Sequence, residues 1–258
     1  STVLFTRIQL FLIVGILTAA LLSANIYIAY KRRPLYVPMN IEVSGVERLR
    51  AQIEPVRRWV FLGITAAVVY FAGTSGMIFW REWLQFRNST DFGVTDPQFN
   101  LDISFFAFKL PMYQALIGWG ISTLVLAALA SAFVHYMYGG IRTDVQTDRT
   151  TVAARVQISI LLGLIVLLKA VAYWFDRYAL SLQEGRLITG LTFSDVNALL
   201  PAKAILSAIA VVCSLLFFAN IIRRSWLLPA AGTALLVISS VLIAGVYPAA
   251  IQQFQVKP

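Results

Sequence analysis

Lys169 stands inside the apolar run ISILLGLIVLLKAVAYW, five residues before Trp174. A charged group in such a run is costly in hydrocarbon and is a functional candidate by default. Tyr173 and Asp176 follow at i+4 and i+7, on the same helical face, with Arg177 next in the chain. Five residues of helix rise only about 7–8 Å, a reach that a lysine side chain covers by snorkelling. Lys169 therefore reads either as an interfacial anchor or as part of a polar path with Tyr173, Asp176 and Arg177. A helix that breaks near Trp174 would let Asp176 fold back and pair with Lys169.

A second group of titratable residues lies in residues 81–111, REWLQFRNSTDFGVTDPQFNLDISFFAFKLP. Asp91, Asp96 and Asp102 are close enough in sequence to hold calcium or to share a proton, but their spacing lacks the order of an EF-hand loop. Asp96-Pro97 is a turn starter. Asp102 is placed to cap a short helix through Phe108, stopped near Pro111. Glu184 and Asp195 add carboxylates further along. Phe99, Phe105, Phe106 and Phe108 are too apolar for open water and belong at a membrane interface or against helix ends.

His135, the single histidine, stands beside Tyr136 and Tyr138. It has no second histidine at ligand spacing, so it reads as an interfacial hydrogen-bonding group and not as a metal or haem ligand. Cys213 is the single cysteine, so no disulfide can form within the chain, and no CxxC or His-rich site exists. There is no Walker motif, GxSxG, HExxH or dinucleotide fingerprint. The residues predict no enzyme activity, no cofactor and no metal.

The elements that must position these residues are dictated by composition. Apolar residues make up 59% of the 258, and charged residues 13%, half the roughly 25% usual in soluble domains. One soluble domain has too little interior to hide that surface; a bilayer has enough. Spanning about 30 Å of hydrocarbon takes about 20 apolar residues in a helix. Six runs qualify, at about 8–30, 59–79, 112–138, 156–174, 202–222 and 228–246. In lipid their backbone groups must be satisfied internally, so they are helices. The expected fold is an all-α integral membrane bundle.

The formal charge of +9 sits in short basic clusters between the runs, a pattern of topology signals and anionic-lipid contact and not of nucleic-acid binding. With the loop after the first run placed in the cytoplasm, the inner loops hold Lys31, Arg32, Arg33, Arg48, Arg50, Arg57, Arg58, Arg142, Arg149, Arg155, Arg223 and Arg224 against five acids; the outer side holds eight basic and seven acidic residues. That asymmetry obeys the positive-inside rule. It puts the N-terminus outside and leads to the expectation of a further span upstream. Within the first inner loop, Ser44 and Glu47 fit a capping box, and Val46, Leu49, Ile53 and Val56 recur at helical spacing. The expectation is a short helix over about 45–57, ended near Pro55 and lying on the inner leaflet, with Arg48, Arg50, Arg57 and Arg58 touching anionic lipid. Small residues at Gly73 and Gly76, at Ala127, Ala128 and Ser131, and at Ala230, Ala231 and Ala234 allow close helix packing, as scaffolding or as a partner interface. No internal repeat of 20–50 residues is visible.

FGVTDPQFNLDISFFAFKLPMYQ resembles the FGxxDPQFxxDxxFYxFxLPFY signature of uncharacterised protein family 0182, a bacterial multi-pass membrane family. His135-Tyr136, Gly139-Gly140-Ile141-Arg142, Leu168 to Trp174, Asp176-Arg177-Tyr178, Asp195, Asn197-Ala198, Leu200-Pro201-Ala202-Lys203 and the ending Gln255-Val256-Lys257-Pro258 also fit it. The resemblance covers nearly the whole chain. It implies an additional span upstream and, beyond Pro258, a large domain outside the cytoplasmic membrane. It brings no reaction with it. Two functions therefore stand as expectations. The first is a membrane anchor and assembly domain that docks with other membrane proteins. The alternative is a transporter or channel for a lipid or cell-envelope precursor, with Lys169 and Asp176 on its path. A membrane enzyme using the outer carboxylates is the weakest.

Overall fold

The computed structural model describes residues 2–34, 45–141, 150–180, 196, 199–223 and 227–242. Among them the regular structure is helical: α1 Thr2–Lys31, α2 Gly45–Ile53, α3 Arg57–Ile78, α4 Trp80–Arg87, α5 Leu110–Met137, α6 Val152–Ala179, α7 Leu200–Arg223 and α8 Leu227–Val241. The only extended pairings among these residues are two isolated bridges, Thr95 with Asp102 and Ile141 with Thr150. The fold is all-α, as the composition requires.

Five helical stretches are long and apolar enough to cross a membrane: Thr2–Lys31, Ala51–Ile78, Phe105–Met137, Val152–Ala179 and Leu200–Arg223. The shortest has 24 residues, about 36 Å of helix. The sixth expected run appears as α8, 15 residues long; positions 243–246 lie outside the described residues. Large apolar side chains on these helices point outward, among them Ile16 at 55%, Leu129 at 64% and Ile222 at 84% exposure. A water-soluble bundle would turn such residues inward.

The described chain divides into two compact units. The first comprises residues 1–81 and 123–161. Its main seam joins α1 to α3, and three glycines set the approach. A Cβ on Gly15 would lie 2.7 Å from the Val69 carbonyl oxygen, one on Gly73 2.7 Å from the Phe11 ring and one on Gly76 2.6 Å from Val14 Cβ. Nothing larger than hydrogen fits there. Leu22, Ala127 and Leu161 form the buried centre, with Val68, Leu124 and Ala128 against it. The helix expected near 45–57 is present as α2, followed by a 3-10 turn at Glu54–Val56 that leads into α3. Pro55 sits in the first positions of that turn, where its missing N–H costs nothing. Ser44 of the expected capping box lies outside the described residues.

The second unit comprises residues 82–122 and 162–258. Here α7 packs against α6 and α8 through hydroxyl, thiol and aromatic side chains. The Ser207 hydroxyl donates to the Ala170 carbonyl at 2.8 Å, and that of Ser214 to the Gly163 carbonyl at 2.8 Å. Phe218 lies over Gly163, where a Cβ would meet its ring at 2.6 Å. Cys213 is fully buried, and its thiol donates to the Gly232 carbonyl of α8 at 3.1 Å. Within the described residues α8 packs through other small residues than the alanines. Ala230, Ala231 and Ala234 are exposed, whereas Pro229, Gly232 and Ser239 are buried.

Pro111 does not stop a helix. Residues Phe105–Lys109 form a π turn that runs directly into α5, with the Leu110 N–H donating to the Phe105 carbonyl. A proline ring clashes with the carbonyl four residues earlier in a regular α-helix. The wider π turn relieves that clash and lets the helix continue.

Candidate functional site

In the second unit, Lys169, Tyr173 and Asp176 of α6 share a face with Lys203 of α7. α6 does not break near Trp174; it continues to Ala179, so Asp176 cannot fold back onto Lys169. Asp176 instead pairs with Lys203, Nζ to Oδ2 at 2.9 Å. Both ammonium groups lie over the Tyr173 ring, Lys169 at 5.0 Å and Lys203 at 5.5 Å from its centroid. The face thus carries two cations, one carboxylate and one aromatic ring. Lys169 is exposed on its helix, which suits a cation whose stem lies along apolar surface with its head turned aside. Arg177 stacks over the Trp174 ring at 4.5 Å and joins neither cation.

The three aspartates of the 91–102 loop do not converge on a common point. Asp96 Oδ1 accepts the amides of Gln98 and Phe99 at 3.0 and 2.8 Å, a local Asx turn. The Asp96 amide donates to the Leu101 carbonyl and that of Ile103 to the Val94 carbonyl, while Asn100 takes a left-handed φ of 53°. Asp102 accepts the amides of Phe92 at 3.1 Å, Gly93 at 2.8 Å and Ser104 at 2.8 Å. The Ser104 hydroxyl, then the Phe92, Ser104 and Gly93 amides, hold the Asp102 carboxyl down to about 2. That hydroxyl has one proton, and it also reaches Asp91 Oδ1 at 3.2 Å, so the three amides are the constant part of the effect. Asp96 and Asp102 therefore act as turn and cap. No group of three or more His, Cys, Asp or Glu side chains suited to a metal occurs among the described residues. Glu184 and Asp195 lie outside them.

The loop's phenylalanines pack against a helix end, as their apolarity demands. Phe99, Phe105 and Phe106 surround Tyr178 near the end of α6, with ring centroids 4.9, 5.5 and 6.4 Å away. Tyr113 stacks on Phe175 at 5.5 Å, and Phe108 pairs with Phe92 at 5.4 Å. The edge-to-face arrangements are those favoured by aromatic quadrupoles.

In the first unit, His135 is buried at 1% exposure and belongs to a hydrogen-bonded chain across three helices. The Gln157 amide nitrogen donates to the Asn25 carbonyl at 2.9 Å and to Ser131 Oγ at 3.1 Å. Its oxygen is left to accept, and His135 Nε2 lies 3.0 Å from it. The network assigns the proton to Nε2, and Nδ1 is an unpartnered acceptor. Gly140 closes over Nδ1; a Cβ there would lie 2.9 Å away. His135 is thus an interhelical clamp, buried two residues before the end of α5 at Met137. Gln157 was the missed partner, and its signal was a lone amide in an apolar run.

Of the basic residues read as lipid contacts, Arg48 and Arg58 are exposed, and the Arg50 side chain lies outside the described set. Arg57 is engaged: Nη1 donates to Glu54 Oε1 at 2.8 Å and to the Tyr30 hydroxyl. Glu54 Oε2 accepts from the Tyr138 hydroxyl at 3.1 Å. Tyr30 and Tyr138 meet edge to face at 5.3 Å. Arg33 lies over both rings, 3.9 Å from Tyr30 and 5.1 Å from Tyr138. Lys203 and Tyr30 had only weak signals in the sequence, because Asp176 and Arg57, the partners that engage them, are each 27 residues distant.

The profile of an uncharacterised protein family, UPF0182, matches residues 1–258. The chain belongs to that family. A UPF0182 protein of Streptomyces coelicolor is 46% identical over the whole chain, which covers 26% of that relative. One from Nocardioides is 45% identical with the same coverage, and one from Thermobifida fusca is 43% identical, with 25% of its length covered. The chain therefore spans about a quarter of the length of these UPF0182 relatives. No solved structure matches it. The signature read around Asp96 and Asp102 in this UPF0182 chain coincides with the loop whose amides those two carboxylates cap.

Proposed function

We propose that this part of the UPF0182 protein is a non-enzymatic, multi-pass domain of the bacterial cytoplasmic membrane. It anchors and orients the rest of a longer chain and docks with other membrane proteins. The observation that carries the reading is the outward face of five long apolar helices around seams of glycine, serine and buried amide. The polar groups of the described residues also support it, since many are consumed in internal structure: His135 with Gln157 and Ser207 and Ser214 with carbonyls between helices, Asp102 with amides of its own loop. The basic clusters support a cytoplasmic side for the Lys31–Arg58 and Arg142–Arg155 segments, against anionic lipid.

The test is gentle purification of the full-length protein from its native membrane with mass spectrometry of what accompanies it. Stoichiometric membrane-protein partners are expected. A solitary protein that moves a defined solute when reconstituted would overturn the reading.

One observation favours a second reading, a transporter for a lipid or envelope precursor. Lys169 is exposed on a membrane-length helix beside the Lys203–Asp176 pair, the kind of intramembrane charge that marks substrate paths. That reading requires Lys169→Ala and Asp176→Ala to abolish cellular function. Full activity in both variants would remove it.

A further inference from the structure

Among the described residues around Tyr30 the donors outnumber the acceptors. Glu54 is the carboxylate of this cluster, and both its oxygens are taken, one by Arg57 and one by Tyr138. The Tyr30 oxygen accepts from Arg57 and keeps its own proton to give. The Arg33 backbone N–H donates to the Tyr30 carbonyl, but its guanidinium makes no hydrogen bond or ion pair among the described residues, and Nη1 is buried without a partner there. Two guanidinium groups and one carboxylate leave a net positive charge, beside Lys31, Arg32 and Arg58. An unpaired arginine donor next to an unspent hydroxyl proton is a costly arrangement unless an anion completes it.

The rings select the shape of that anion. A guanidinium stacked 3.9 Å from a tyrosine centroid has its face covered and its N–H groups spread in the plane around it. That fork matches the oxygens of a phosphate in a bidentate contact. The cluster sits at the last turn of α1, which ends at Lys31, and the first turn of α3, which begins at Arg57. In membrane-length helices those turns lie at headgroup level, where tyrosines also gather.

We propose that Arg33 and the Tyr30 hydroxyl, braced by Arg57 and Tyr138, bind the phosphate of an anionic phospholipid. The inference rests on the membrane reading above. It also moves the lipid contact from Arg57, which Glu54 already neutralises, to Arg33.

The full-length protein, in nanodiscs of phosphatidylcholine or of an equimolar mixture with phosphatidylglycerol, is extracted gently, and retained lipid is counted by native mass spectrometry. Wild type retains phosphatidylglycerol. Arg33→Gln loses both a surface charge and a charge-assisted fork, an expected fall of about 50-fold in relative occupancy. Arg32→Gln removes the same charge from an exposed neighbour and loses only about fivefold. Arg33→Lys keeps charge without the fork and falls between them, which guards against a misfolded Arg33→Gln. Equal losses in Arg32→Gln and Arg33→Gln would overturn the site while leaving the membrane reading intact. Inorganic phosphate displacing the lipid at equal concentration would overturn the lipid as ligand. Release of the protein from membranes by alkaline carbonate would overturn the membrane reading itself.

Discussion

The α1–α3 seam and the α6–α7 seam solve the same problem by opposite means. In the first, glycines bring backbones together until a single Cβ would collide with Val69, Phe11 or Val14, and dispersion at close range does the holding. In the second, the helices stand far enough apart for side chains between them. Ser207 and Ser214 reach across to carbonyls, and Lys203 closes the end on Asp176. Lipid offers no hydrophobic drive between helices, so association must come from packing or from interhelical hydrogen bonds. The two seams separate those contributions within one chain. They teach that the glycine seam tolerates no added volume, whereas the polar seam, away from Gly163 under Phe218, fails gradually, bond by bond.

The sharpest way to break the contrast is to add volume. Gly73→Val or Gly15→Val in the α1–α3 seam has a fixed backbone oxygen within 2.9 Å of the new Cβ in each case. Overpacking of this kind costs about 1–3 kcal/mol, read as a lower melting temperature in detergent. Gly118→Val is the control, since nothing lies within 4 Å of its Cβ position, and it stays near wild type.

The next largest effect lies at Lys203. The pair with Asp176 is partly exposed, at 23% and 37% of the two side chains, so solvent screening holds its worth to about 1 kcal/mol. Lys203→Met and Asp176→Asn should each destabilise by about that amount, and the double variant by less than the sum. Additive losses would show that the two groups act independently and that the contact is incidental.

The smallest effects belong to the hydroxyls. Ser207→Ala and Ser214→Ala should each cost about 0.6 kcal/mol, the average worth of an interhelical hydrogen bond in a membrane protein. Thermal shift measurements on the two single variants and the double would detect the sum. Losses as large as those of the glycine variants would erase the distinction between the seams.

The helices were legible because hydrocarbon leaves an apolar run one way to satisfy its backbone. The ends were less so. α6 outruns Trp174 and carries Asp176 to Lys203, a meeting of residues 27 apart that helical periodicity does not encode. Cys213 as a buried small group and Asp96 and Asp102 as turn and cap were readable, because these roles are local. Gln157 beneath His135 and Arg57 on Tyr30 were not, since each depends on how separate helices pack. Ala230, Ala231 and Ala234 show the same limit: small size permits packing on a face but does not choose it, and within the chain Gly232, with its carbonyl on Cys213, takes the contact.

The π turn at Phe105–Lys109 has a consequence for how this loop tolerates change. It holds one residue more than an α turn would, so it works as a phase shifter: every side chain before it is rotated by about 100° relative to those after it. Removing one residue there would restore an unbroken α-helix with Pro111 in conflict. It would also swing Phe105 and Phe106 away from Tyr178 without altering any of those rings. Length through this stretch is thus under stricter constraint than identity, and an indel here would be felt as a change of aim.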